Sequence, residues 1–394
     1  MTITERRAES RMDRMVASVD HVFSWYLGGD WEKHHLDPGI ADFTFGNPQE
    51  LPLPGLVAAI QHHAEPKDKD WFAYKLNEAE PRAVIQETLR ERTGIPYRDE
   101  DISLTAGAFG ALGVTIRAVA DEDDEVIFLC PPWFFYELMV VSAGARAVRV
   151  HLEPPDFDLD PDAIAAAITP RTRAIIVNSP HNPTGRIYRA PELKALAEVL
   201  SEASERNGRP IVLLSDESYN RIVFDGIDFH TPALDYDATI TIYTYGKTLL
   251  APGQRIGYAA MHPDFPDREG TGYRIFVQQL AAGWGFPNAL LQHAIGDLEG
   301  LSIDISALER RRDRMVPALR DMGYEVTRPE GTFYIMVRSP DPDDLAFSSR
   351  LAELGALVLP GTIVEQPGWF RISLTASDEM VERGFEVFRK AREA

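Results

Sequence analysis

The chain has 394 residues, 44% of them hydrophobic, enough to bury a large core divided between one large and one small domain. A net charge of −21 argues against nucleic acid or an anionic membrane as a partner. A single cysteine, Cys130, excludes an internal disulfide framework and any multi-cysteine metal site.

The polar start, Met1 to Arg7, has no signal-peptide core, and no apolar run reaches membrane-spanning length, so a cytoplasmic protein is expected. From Arg11 to Tyr26, apolar residues such as Met15, Val19 and Val22 recur at helical spacing. This predicts a first helix, an arm suited to packing on a partner. Asp42 to Phe45 reads as a short strand ending in the turn Gly46-Asn47-Pro48, and Leu56 to His63 as a helix. An aromatic loop, Trp71-Phe72-Ala73-Tyr74, precedes a helix from Arg82 to Thr93 that Gly94 and Pro96 stop.

From residue 101 onward, strands and helices alternate. Ile102–Thr105, Glu125–Leu129, Ala147–Val150, Thr172–Asn178, Ile211–Ser215, Thr239–Tyr243 and Ile256–Met261 read as strands. Helices to Ala120, over Tyr136–Ala143, over Pro161–Ile168 and over Pro191–Ala203 fall between them. Near-continuous apolar strands alternating with helices imply an α/β domain with three layers, α/β/α, around a mainly parallel sheet. The acidic run Asp121 to Glu125 reads as a solvated turn before a strand. After residue 262 come helices over Tyr273–Ala281 and Pro287–Leu298, and a long helix rich in arginine (Arg310, Arg311, Arg312, Arg314) towards Met322. Strands at Glu325–Thr327, Phe333–Val337, Ala356–Leu359 and Trp369–Ser373 and a last helix from Glu379 complete a smaller α+β domain. The expected division is residues 1–50 as an arm and part of the small domain, 51–290 as the large domain, and 291–394 as the small domain.

Open parallel sheets bind ligands at the C-terminal ends of their strands. The segments predicted there form a consistent set. Gly107-Ala108-Phe109 opens a helix, whose free N–H groups and dipole suit an anion. Trp133, fixed behind Pro131 and Pro132, offers a flat aromatic face. Asn178-Ser179-Pro180-His181-Asn182-Pro183-Thr184-Gly185 makes a rigid turn that presents the Asn182 amide. Asp216, with Tyr219 following it, places a carboxylate able to keep a ring nitrogen protonated. Lys247, in a loop of small residues after Thr244, can form an imine with a ligand carbonyl. Arg255 comes after it among Pro252, Gly253 and Gly257, where its planar fork suits a phosphate. Each residue alone has a plain structural reading: core aromatic, helix cap, surface charge. Together they describe a ligand with an aromatic ring, a cationic ring nitrogen, an aldehyde, a phenolic oxygen and a phosphate, which is pyridoxal 5′-phosphate.

These segments, with Phe370-Arg371-Ile372-Ser373, resemble the class I/II aminotransferases of pyridoxal-phosphate fold type I, the aspartate-aminotransferase-like fold. The resemblance covers nearly the whole chain, in family order and spacing. It implies that Lys247 holds the cofactor as an aldimine and shuttles the proton, with Asp216 on the pyridine nitrogen. It implies Tyr219 and Asn182 at the phenolic oxygen, Trp133 against the ring, and Arg255 with Thr244 and the backbone of Gly107, Ala108 and Phe109 around the phosphate. It implies Arg371 as a clamp for the substrate α-carboxylate under Gly46. It implies that Tyr74 reaches the phosphate of the other subunit in a homodimer. The activity implied is transfer of an amino group from an α-amino acid to a 2-oxo acid. A lyase, decarboxylase or oxidase on the same fold is the alternative. The chain departs from the family pattern at Phe109, where relatives carry a hydroxyl, at Gly246, and in the loop Lys75 to Glu80, which lacks a glycine. No arginine is assigned to a second substrate carboxylate; Arg274 is a candidate only because its region could reach the partner's site, and it reads better as a solvated helix charge. Trp71, Phe72, Phe134, Phe135, Trp284 and Phe286 suggest a pocket for apolar or aromatic substrates.

Overall fold

Seven strands form the central sheet of the computed structural model, which describes residues 10–282 and 286–393. In chain order the strands are β1 (Ala41–Asp42), β2 (Ile102–Thr105), β3 (Glu125–Cys130), β4 (Arg146–His151), β5 (Thr172–Asn178) and β6 (Val212–Asp216). They continue as β7 (Thr239–Thr244), β8 (Gly257–Met261), β9 (Tyr334–Arg338), β10 (Ala356–Leu357), β11 (Leu359–Pro360) and β12 (Trp369–Ser373). The large sheet runs β2-β8-β7-β6-β5-β3-β4. Only β8 is antiparallel to its neighbours, so the sheet is mainly parallel as expected.

Strands β3, β6, β7 and β8 are buried along their whole length. Their unbroken apolar or β-branched runs need cover on both faces. The helices Gly107–Val119 and Ala190–Asn207 bury Leu112, Ile116, Leu196 and Leu200 against Ile127, Ile176 and Leu214. The helices Pro54–Ala64, Ala79–Thr93 and Ala289–Leu298 cover Leu104, Tyr243 and Tyr258 with a separate apolar group.

The second unit is a three-stranded antiparallel sheet, β11-β12-β9, with β1 paired in parallel to β10. That pairing joins the N-terminal segment to the C-terminal part, as the sequence predicts. Phe43, Leu319, Phe333, Phe347, Phe370 and Phe388 fill its core.

Several elements differ from expectation. The strand predicted over Asp42 to Phe45 ends at Asp42, because the Asp42 carboxylate accepts from the Thr44 N–H at 2.9 Å and turns the chain. Phe43 instead bridges two strands, donating to Leu357 O and accepting from Ser373 N, both at 2.8 Å. Glu325 to Thr327 forms no strand; only Val326 bridges, opposite Val337. Ala356 to Leu359 splits between two sheets, with Val358 as the switch. Glu125 is not part of a solvated turn: it is buried, and Arg171 and Thr169 bond its carboxylate. Among the described residues no helix is long and apolar enough to cross a membrane, and no group of His, Cys, Asp and Glu is disposed to hold a metal.

Candidate active site

The parallel strands β5, β6 and β7 end side by side, in register from Asn178 to Asp216 and from Asp216 to Ile242. The segments that leave these strands therefore converge on one side of the sheet. Nine of the predicted residues line a single cavity there: Ala108, Phe109, Trp133, Asn182, Asp216, Tyr219, Thr244, Lys247 and Arg255. Lys247 sits not in a loop but in one helical turn, Tyr245–Thr248, which Thr244 caps by accepting from the Gly246 N–H. The turn aims the lysine so that Nζ stands 5.3 Å from the centre of the Tyr219 ring and 5.8 Å from that of Phe333.

Asp216, the last residue of β6, points into this space while buried. Tyr136 donates to its Oδ2 at 2.7 Å, and the Ser218 hydroxyl donates to its Oδ1 at 2.6 Å. Burial pushes the carboxyl above its ordinary value, and the Ser218 and Tyr136 hydroxyls and the Lys247 charge pull it back. Asn178 ties the neighbouring loop down: its amide donates to Asp216 O, and its Oδ1 accepts from the Asn182 N–H, both at 2.7 Å. The motif around Asn182 is thus clamped from within. His181 is sealed in the same loop against Thr184, where burial drives its pKa down to about 3. It stays neutral at working pH and takes no proton there.

At one end of the cavity lies an anion cradle. Gly107 starts the helix Gly107–Val119 with φ +72°, in the left-handed region that glycine adopts without strain. A Cβ there would stand 3.1 Å from Arg255 Nη2 and 3.2 Å from Thr244 Oγ1. The cap position holds Ala106, which has no side-chain acceptor, so the first N–H groups of the helix remain available to a ligand. Arg255 is held across this space by bonds to Pro252 O at 2.6 Å and Ala106 O at 3.2 Å.

Next to the cavity, bonded to its lining residue Asn182, lies Arg371, 2% exposed. Its Nη1 donates to Asn182 Oδ1 at 3.1 Å and its Nη2 to Thr44 O at 2.8 Å, while Nε has no partner. Its guanidinium lies 3.9 Å from the centre of the Tyr334 ring. Burial lowers its pKa, and no carboxylate pairs with it among the described residues. A buried cation without a counterion is costly and receptive to an anion. Gly46 fits beside it without room for a side chain: a Cβ there would meet Phe333 at 2.2 Å and the Tyr334 hydroxyl at 2.8 Å.

Tyr334, Tyr136, Ser218 and Asn178 are parts of this site to which the sequence assigned no role. Tyr219 and Tyr334 share a hydrogen bond between hydroxyls. Burial raises Tyr219 well above its usual value, with Tyr334 adding to it, whereas at Tyr334 burial is outweighed by the charges of Arg371 and Lys247 together with hydrogen bonds from Tyr219 and Gly46, and its pKa is lowered. Tyr334 is thus the better acceptor of the two.

Other expectations fall away from the cavity. Trp71 stacks on His293 with ring centres 3.6 Å apart, and Phe72 is exposed. Phe286 packs on Phe276, and Trp284 lies outside the described residues. Arg274 bonds Asp267 and Thr271, as a helix charge does. Tyr74 is fully exposed and touches nothing in this cavity.

Comparison with known proteins places this geometry. The family model for aminotransferase class I and II matches residues 39–388. The chain is 31% identical over 368 residues to an aspartate/prephenate aminotransferase from Thermus thermophilus, covering 89% of this chain and 90% of that one. It is 33% identical over 346 residues to a probable N-succinyldiaminopimelate aminotransferase from Mycobacterium tuberculosis, covering 82% and 81%. A crystal structure of an aminotransferase from Eubacterium rectale superposes with a TM-score of 0.88 at 30% identity, over 95% of each chain.

Proposed function

This chain belongs to the family of class I and II aminotransferases, and we infer from its own residues how it moves an amino group from an α-amino acid to a 2-oxo acid. We propose that the cavity holds pyridoxal 5′-phosphate, bound through Lys247. The cradle at Gly107, Thr244 and Arg255 suits the phosphate, and Trp133 offers a face to the ring. Asp216 suits a ring nitrogen, and Tyr219 with Asn182 suits the phenolic oxygen. When bound, the cofactor supplies an electron sink for charge that develops at the substrate's α-carbon.

The protein supplies the rest. Arg371 binds the α-carboxylate of the incoming amino acid. The Asn182 amide and Thr44 carbonyl fix the plane of its guanidinium, so the free edge is oriented before substrate arrives. The amine of Lys247, freed from the cofactor, would accept the α-proton of the donor and hold it for return. Such general acid–base help is worth about 10²–10⁴-fold in rate. Asp216 keeps a proton on the ring nitrogen; a cation there would pair with the carboxylate and lower the pKa that burial raises.

The observation that carries this reading is the buried, uncompensated Arg371, tied through Asn182 to the cavity that Lys247 and Asp216 line. Its test is a donor–acceptor assay. An amino acid plus a 2-oxo acid should give the new amino acid in stoichiometric yield. Ammonia or a cleaved fragment, formed without any acceptor, would mark a lyase instead.

We assign residues 51–290 to the cofactor-holding domain, and 1–50 with 291–394 to the smaller one. A homodimer is the assembly we propose, in the cytoplasm. Tyr74 is fully exposed in the single chain, and Phe72, Leu76, Tyr273, Val277 and Leu280 are also exposed. The loop and the helix that carry them meet through the Asn77–Gln279 hydrogen bond, and we propose that a second copy covers these apolar residues and brings Tyr74 to its neighbour's phosphate.

A further inference from the structure

Every basic side chain assigned to the site is already committed, Lys247 to the cofactor, Arg255 to the phosphate and Arg371 to the α-carboxylate. The remaining wall is aromatic. Phe109 comes after Gly107 and Ala108 on the first turn of its helix, and its ring lines the cavity with Leu112 one turn on. It stands perpendicular to Trp133 at 5.2 Å and touches Phe135 at 5.4 Å between centres. Phe134 continues this wall to an apolar group around Val22, Leu359 and Ile363, where Phe45 and Trp25 also pack. Phe45 is the immediate chain neighbour of Thr44, the residue whose carbonyl holds Arg371. The aromatic surface therefore runs from the cofactor cavity to the edge of the carboxylate clamp.

A substrate's side chain branches from the same carbon as its α-carboxylate, so it starts within a few bonds of Arg371. A second carboxylate placed there meets rings and no unassigned cation of this chain among the described residues, and losing its water is unfavourable. We propose that this enzyme takes apolar or aromatic α-amino acids as donors and discriminates against dicarboxylic ones, with Phe109 as the specificity-determining residue. The proposal rests on the aminotransferase reading and separates this chain from relatives named for aspartate and prephenate.

The test is single-turnover conversion of the cofactor's absorption band by holoenzyme with L-phenylalanine, L-leucine or L-aspartate and no acceptor present. We expect the second-order rate constant for phenylalanine to exceed that for aspartate by about 100-fold. Phe109→Arg should raise the aspartate-to-phenylalanine ratio at least about tenfold by giving the second carboxylate a partner. The wild-type ratio stands whether or not this variant folds. Aspartate reacting as fast as phenylalanine in the wild type would overturn the proposal and leave the aminotransferase reading intact. Band conversion by none of the three would overturn that reading and the proposal with it.

Discussion

The Tyr136 hydroxyl donates a 2.7 Å hydrogen bond to Asp216 Oδ2 across 80 residues of sequence. It joins the start of the helix Tyr136–Ser142 to the end of β6, on the buried side of the cavity. Together with Ser218 on the other oxygen, it pulls the carboxyl back towards its ordinary value against the burial that raises it.

Tyr136→Phe removes that donor and nothing else of size. Burial already raises the Asp216 carboxyl, so losing Tyr136 raises it further. A hydrogen bond to a charged group contributes about 1.5 kcal/mol, equivalent to roughly one pH unit. The acid limb of the rate profile should therefore move about one unit to higher pH, with the alkaline limb unchanged. His181 cannot account for such a shift, because burial holds it down at about 3.

Asp216→Asn should separate stability from activity. A carboxyl whose folded pKa is raised costs stability progressively as pH rises from its unfolded value, about 4, through its folded value. An amide has no such cost. Without cofactor, the variant should melt at an equal or higher temperature than the wild type at pH 8, with the advantage gone at pH 4. Turnover should fall about 100-fold or more. Thermal scans at the two pH values, beside an activity assay, check both halves.

Arg371→Lys keeps a charge but loses the planar fork that Asn182 and Thr44 orient. Removing one partner of a buried charge pair costs about 2–5 kcal/mol. Half-reaction kinetics should show the donor KM rising about 30-fold or more, with the bound cofactor's spectrum unaltered. A changed spectrum with an unchanged KM would place Arg371 at the cofactor instead.

Gly107→Ala tests the cradle. The residue would adopt φ +72°, costing roughly 1–2 kcal/mol for a side chain, and its Cβ would crowd Arg255 and Thr244. Cofactor affinity, measured by equilibrium dialysis, should weaken about tenfold or more, with little change in the KM for the amino donor.

The sequence displays the parts of this architecture that are local. Near-continuous apolar runs mark β3 and β5, and a β-branched run marks β7, because strands covered on both faces have no charged side to show. Motifs such as Asn178 to Gly185 mark strand ends through their turn chemistry. Features that depend on distant partners are not displayed. Tyr136 and Tyr334 read as ordinary polar residues until the strands assemble and bring Asp216, Arg371 and Gly46 to them. Val326 looks like part of a strand but finds only one bridge, and Leu359 leaves its neighbour Leu357 to pair with another sheet. Arg312, within the arginine-rich run of the long helix, is fully buried, with its guanidinium bonded by Asp225 and Asp313, a burial that the run does not itself reveal.

The central claim is the bond between this chain and its cofactor. The direct measurement is reduction of the protein with borohydride after incubation with pyridoxal 5′-phosphate, then digestion and mass spectrometry. The expected result is a single cofactor adduct on the peptide containing Lys247, lost in Lys247→Ala. An adduct on a different lysine, or none on the purified, incubated protein, would contradict the account.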